Sequence, residues 1–182
     1  MNRKALAWAS FDWANSAFPT VVSTFVIAAY FTQGVAPDPA TGQAQWGWMQ
    51  TMAALAIAVL SPLLGAIADR GGHRRLLLAG CTVVTAIFTA LVWYAAPNQS
   101  WTLWLLVCVG IATVAFELGT VFYNSMLPEV AAPEQLGRVS GLAWGLGYAG
   151  GLACLALALV LLVKPDPALF GLDRATSEQV RA

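Results

Sequence analysis

The chain has 182 residues, 59% of them hydrophobic and only 10% charged, where a soluble domain carries about 25% charged residues. A formal net charge of +0 leaves no basic field for nucleic acid, and the composition is that of an integral membrane protein whose partner is the lipid bilayer. Three isolated cysteines in apolar stretches and a single histidine in an arginine-rich turn supply neither a disulfide framework nor a metal or haem ligand set, so no cofactor is expected.

The N-terminus, MNRKALAW, leads directly into a first apolar span over residues 11–31, without the small-residue cleavage site of a secretory signal. Asp12, Ser16, Pro19 or Thr20, and Ser23 recur at three- and four-residue spacing and so share one helical face. Such a stripe turns away from lipid, toward other helices or a watery cavity, and Pro19 offers a bending point. Asp12 reads in two ways, as an interfacial cap at the helix start or as a contact for a solute. Residues 32–45, with Pro and Gly but no Lys or Arg, predict an irregular loop on the outer side.

Trp46 and Trp48 open a second span over residues 46–68. It runs into the turn GAIADRGGHRR, residues 65–75, whose arginines place it in water on the cytoplasmic side. In that turn Gly65 is expected to allow close backbone approach, and the Gly71-Gly72 pair to supply positive φ for the reversal. Asp69 can cap or pair with the neighbouring arginines. A third span over residues 76–96 closes on Trp93 and Tyr94, PNQS forms an outer loop, and Trp101 and Trp104 mark the return to the bilayer.

The fourth span, over residues 101–127, carries Thr113, Glu117, Thr120 and Asn124 on one helical face. Glu117 lies roughly 16 Å before Pro128 along the helix, close to the midplane. A buried carboxylate there is costly. It reads either as part of an ion or solute path or as a neutral donor in a structural interhelical hydrogen bond. The fifth span, over residues 139–163, repeats Gly137, Gly141 and Gly145 at four, as it does Gly147 and Gly151, predicting small-residue seams for helix packing. Residues 164–182 then form a polar outer tail. Arg3, Lys4, Arg70, Arg74, Arg75 and Arg138 fall on one side of this topology and Lys164, Arg174 and Arg181 on the other, which puts the N-terminus in the cytoplasm.

The spacing G-x-x-x-D-R-x-G-x-R-R, met by Gly65, Asp69, Arg70, Gly72, Arg74 and Arg75, resembles the signature loop between the second and third helices of the major facilitator superfamily. FDWANSAF at residues 11–18, FELGTVFYNSMLPEV at 116–130 and GRVSGLAWGLGYAGG at 137–151 resemble its vacuole-effluxer-like branch, which includes the fungal autophagy-related amino-acid effluxer. The resemblance implies an all-α integral membrane fold with five of the six helices of one half-bundle, the sixth helix and the second half being absent. On that reading the chain is a partial sequence, and its partner is the missing C-terminal half of the same transporter.

The implied activity is not enzymatic. It is secondary transport of a small solute by alternating access, with amino-acid efflux the best characterised case in the branch and a bacterial inner membrane the expected setting. The path residues would be Asp12, Asn15, Ser16, Glu117, Thr120 and Asn124, with Glu117 a candidate proton carrier, while the signature loop would bias the cytoplasmic gate. No proline follows Gly145, so the antiporter motif of the fifth helix is not met and antiport is not inferred. The rival reading is a membrane scaffold or accessory subunit that uses its glycine seams to bind partner helices and moves nothing.

Overall fold

A computed structural model describes residues 3–163, and in residues 69–71 only the backbone. The described residues form helices joined by short turns, with no strand among them, and five stretches are long and apolar enough to cross a membrane: Arg3–Val35, Pro39–Ala68, Arg74–Tyr94, Gln99–Ser125 and Pro133–Leu161. The expected polar tail at 164–182, with Lys164, Arg174 and Arg181, lies outside the described residues. The chain divides into two compact units, one containing residues 3–27 and the helix beyond Gly137, the other residues 28–136.

In the first unit, α1 (Arg3–Asn15) begins well before the expected start at residue 11. Ala5, Trp8 and Ala9, at the three- and four-residue spacing of one face, are buried, so the segment ahead of Phe11 has a packed face of its own. From Phe18 to Phe25 the backbone widens into a π-helix, in which Val26 N–H donates to the Val21 carbonyl five residues back. Pro19 lies at the start of this stretch and has no N–H to continue the α-helical ladder, which accounts for the change of winding there. A short α2 (Val26–Tyr30) follows and runs into the second unit. The unit also holds the last long helix, α7 (Leu136–Ala158), which continues as a π-helical stretch over Leu159–Val163.

The second unit corrects the expected loop at 32–45. The π-helical stretch Phe31–Val35 and α3 (Pro39–Gly71) leave only residues 36–38 between helices. Asp38 starts α3 so early: its carboxylate accepts from the N–H groups of Ala40 and Thr41, each at 3.0 Å, and Pro39 occupies the first turn, where its missing N–H costs nothing. Helix α3 also runs past Ala68 to Gly71. The reversal that follows needs only Gly72, at φ 63°, and His73, so Gly71 is helical and Gly72 alone supplies the positive φ.

Helices α4 (Arg74–Leu91) and α5 (Thr102–Ser125) form the centre of this unit together with α3, and a short α6 (Leu127–Val130) follows. Ala68, Leu118 and Phe122 are buried where the three long helices meet, with Leu64, Leu78 and Cys81 packed around them. Gly119 lets α5 come close to α4, since a Cβ there would lie 3.2 Å from Cys81 Cβ. Polar groups at the helix ends find backbone acceptors: Trp104 Nε1 donates to the Leu91 carbonyl at 3.1 Å and the Tyr30 hydroxyl to the Ala95 carbonyl at 2.9 Å.

Candidate functional site

The first unit contains a cavity of about 330 Å³ with one polar wall. Because α1 starts at Arg3, Asp12 lies nine residues inside the helix, or about 13 Å from its first residue. Its carbonyl accepts from Ser16 N–H at 3.0 Å, so its backbone is helical and Asp12 does not cap the helix start. Asp12, Ser16, Thr20 and Thr24 line one wall. Ser23 was expected on this stripe, but Thr24 takes that place, because the wider π-helical turn carries a four-residue spacing along one face. The Thr20 hydroxyl donates to the Ser16 carbonyl at 2.9 Å. Asn15 is half-buried and does not line the cavity.

The other wall comes from α7, where Trp144, Gly147 and Tyr148 stand at three- and four-residue spacing on one face. Their partnership with Asp12 was not legible in the sequence. The rings of Trp144 and Tyr148 lie 6.0 Å apart at 56°. Close approach of the two walls depends on glycine: a Cβ on Gly147 would run into the Asp12 carboxylate and come within 2.7 Å of the Ser16 hydroxyl, and one on Gly150 would strike the Trp13 carbonyl. Gly151 is packed in the same way against Ser16 and Thr20. By contrast Gly137, Gly141 and Gly145 meet nothing within 4 Å, so of the two expected seams only the one containing Gly147 and Gly151 is packed, extended by Gly150.

In the second unit the signature turn forms a small polar cluster. Arg74 Nη1 donates to the Ser125 carbonyl at 3.1 Å and to Glu129 Oε1 at 3.3 Å, tying the start of α4 to the end of α5 and to α6. A cation at the end of a helix meets the partial negative charge of its last carbonyls. Glu129 was missed in the sequence because nothing local marks a partner so far along the chain. Arg75 is exposed, and Gly65 has open space around it, so the expected close backbone approach at Gly65 is not made by the described residues. The side chains of Asp69 and Arg70 lie outside the described residues.

The face of α5 expected to carry a buried charge divides. Thr113 is buried with its hydroxyl unpartnered, and the half-buried Thr120 donates to its own helix at the Phe116 carbonyl, at 3.1 Å. Glu117 and Asn124 are exposed, along a strip that also carries Val107, Ile111 and Val121. The buried positions of α5 are instead Leu105, Cys108, Val109, Ala112, Ala115, Leu118 and Phe122, whose apolar side chains take the packed side. Among the described residues, then, no neighbouring helix covers Glu117.

A larger groove of about 880 Å³ lies on the second unit among α3, α4 and α5. Its walls are almost wholly apolar, from Met49 and Met52 to Ile111 and Val114, and no charged side chain lines it. A polar solute would lose its hydration there and gain little in return. The cavity at Asp12 is the better candidate for chemistry.

Comparison with known proteins agrees with this architecture. Residues 5–169 match the Major Facilitator Superfamily. The chain is similar to the uncharacterized MFS-type transporter YxiO of Bacillus subtilis (strain 168), at 28% identity over 165 residues, covering 88% of this chain and 38% of the relative. The chain thus spans well under half the length of the curated relative it matches. No solved structure matches it significantly.

Proposed function

We propose that this chain, which belongs to the Major Facilitator Superfamily, forms part of a secondary transporter in which the cavity at Asp12 contacts a small solute during alternating access. The observation that carries the reading is the place of that carboxylate, on the wall of a cavity and nine residues inside a helical stretch long and apolar enough to cross a membrane. A charged group inside a membrane-spanning helix is costly, and is retained where it lines a watery path or binds what passes. Ser16 joins Asp12 in the contact. The Arg74 cluster, together with the rest of the signature turn, restrains one membrane face.

Sequence resemblance to the vacuole-effluxer-like branch supports an amino acid as cargo, and a bacterial relative supports a bacterial inner membrane. The positive-inside bias supports a cytoplasmic N-terminus. A second half of the same transporter is the proposed partner, because sites in this architecture form between two halves. Glu117, Thr120 and Asn124 contribute to the path from α5, with Glu117 as the coupling carboxylate. Counterflow of a labelled amino-acid panel in proteoliposomes of the full-length protein tests the reading. Saturable exchange weakened by Asp12→Asn supports it, and absence of exchange for every solute counts against it.

One observation favours a different role, a scaffold that binds partner helices: Gly137, Gly141 and Gly145 form a small-residue strip on α7 that no described residue covers. If that role is the whole function, widening the strip with Gly141→Leu should abolish partner capture while no solute is moved by the unaltered protein.

A further inference from the structure

We infer that the cavity at Asp12 selects the cationic head of its solute, a compact primary or quaternary ammonium group, with the Asp12 carboxylate as counter-charge and Trp144 and Tyr148 as the aromatic wall. The inference rests on the transporter reading for its biology but not for its chemistry, which comes from the lining itself. The cavity carries one formal charge, a carboxylate, and neither Lys, Arg nor His among its lining residues. An anionic solute would therefore meet repulsion with nothing to offset it.

The Thr20 hydroxyl points the same way. Thr20 has committed its proton to the Ser16 carbonyl, so toward the cavity its oxygen acts as an acceptor. The carboxylate of Asp12 makes no hydrogen bond or ion pair with any described residue, and it lies against Gly147, where a side chain would displace it. An acceptor-rich cavity with an unspent negative charge is matched by a group that brings donors, positive charge, or both.

The opposite wall is what distinguishes an organic cation from a metal ion or a lone proton. Trp144 and Tyr148 are 61% and 67% exposed, and their rings are held 6.0 Å apart at 56° to one another. Exposed indole and phenol faces beside a carboxylate are poor ligands for a hard cation, which takes oxygen donors in number. They attract an ammonium or trimethylammonium head, which the ring quadrupoles stabilise once water is stripped away. At about 330 Å³ the cavity is at the small end of ligand sites, sized for a head group rather than a large drug-like molecule.

The test is binding to the full-length protein in lipid nanodiscs, measured with choline and with its uncharged isostere, in which tert-butyl replaces trimethylammonium. Choline should bind saturably and the isostere should not compete. Asp12→Asn, which keeps shape and removes charge, should weaken choline by about 30-fold or more. Trp144→Leu, at an exposed position where folding is little affected, should weaken it by about tenfold. Equal affinity for the isostere, no choline binding, or an Asp12→Asn protein that folds and binds choline unchanged would each overturn the inference. Counterflow separates it from the transporter reading: choline binding without transport of any solute leaves the site standing and removes the transporter, whereas transport of an anion or neutral solute without choline binding does the reverse.

Discussion

Arg74 and Glu129, 55 residues apart in the chain, meet with 3.3 Å between Nη1 and Oε1, and the same nitrogen also reaches the Ser125 carbonyl. The side chains are 30% and 46% exposed, so the ion pair itself is screened and contributes little. Its effect is geometric. One guanidinium joins the first residue of α4 to the end of α5, so the two helices share one anchored end.

The two partners of Arg74 should therefore be separable. Glu129→Gln should cost no more than about 1 kcal/mol, while Arg74→Ala, which also strips the donor from the Ser125 carbonyl, should cost about 1–2 kcal/mol. Thermal unfolding in detergent at low and high salt measures both. Equal losses for the two variants would show that the backbone contact contributes nothing.

Glycine substitutions along α7 should divide by face. Gly150→Ala pushes a Cβ into the Trp13 carbonyl, a backbone atom that cannot rotate away, and should destabilise by about 1–3 kcal/mol. Gly141→Ala enters open space and should be neutral or stabilising by up to about 1 kcal/mol. Comparing the two melting points decides it, and a harmless Gly150→Ala would refute the close packing of α1 against α7.

Asp38 gives a pH dependence of known sign. Hydrogen bonds from the Thr41 side chain and then from the Thr41 and Ala40 N–H groups hold its carboxyl below the usual aspartate value. A depressed folded-state value means that the cap stabilises fully above the unfolded-state pKa and is lost as pH falls through the folded one. Asp38→Ala should thus melt below the parent protein at neutral pH, and the gap should close in acid. A gap that stays constant with pH would remove the charged cap from the account.

Topology follows from the proposed orientation. Gln43 and His73 are both exposed near opposite ends of α3, so single cysteines at these positions report the two membrane faces. With the N-terminus in the cytoplasm, an impermeant thiol reagent on intact cells should label Gln43→Cys and spare His73→Cys. The reverse pattern would invert the orientation.

For Glu117 the structural alternative, a hydrogen bond to a neighbouring helix, has no partner among the described residues. If the side chain carries the coupling proton, Glu117→Gln in the full-length protein should lose accumulation driven by a pH gradient and retain exchange. Unchanged gradient-driven accumulation would end the proton-carrier role.

The sequence by itself determined what depends on local chemistry and on the bilayer. Long apolar stretches must become helices, because lipid offers no partner for a backbone N–H or carbonyl, and the five spans were legible for that reason. The three- and four-residue spacing of Asp12, Ser16 and Thr20 was legible as one face, and the turn at Gly72 as a reversal. The sequence did not say where helices begin when a cap intervenes. Asp38 and Pro39 started α3 inside a stretch whose Pro and Gly content predicted a loop. Tertiary structure alone decided which side of each helix is packed. Periodicity put Thr113 and Glu117 on a common face, but the neighbours of α5 bury the first and leave the second exposed. The same holds for α7, where glycines at equal spacing are packed at Gly147 and Gly151 and bare at Gly141 and Gly145. Partners distant in the chain, Trp144 and Tyr148 beside Asp12 and Glu129 beside Arg74, leave no local trace, because spacing along one helix carries no information about which other helix comes to meet it.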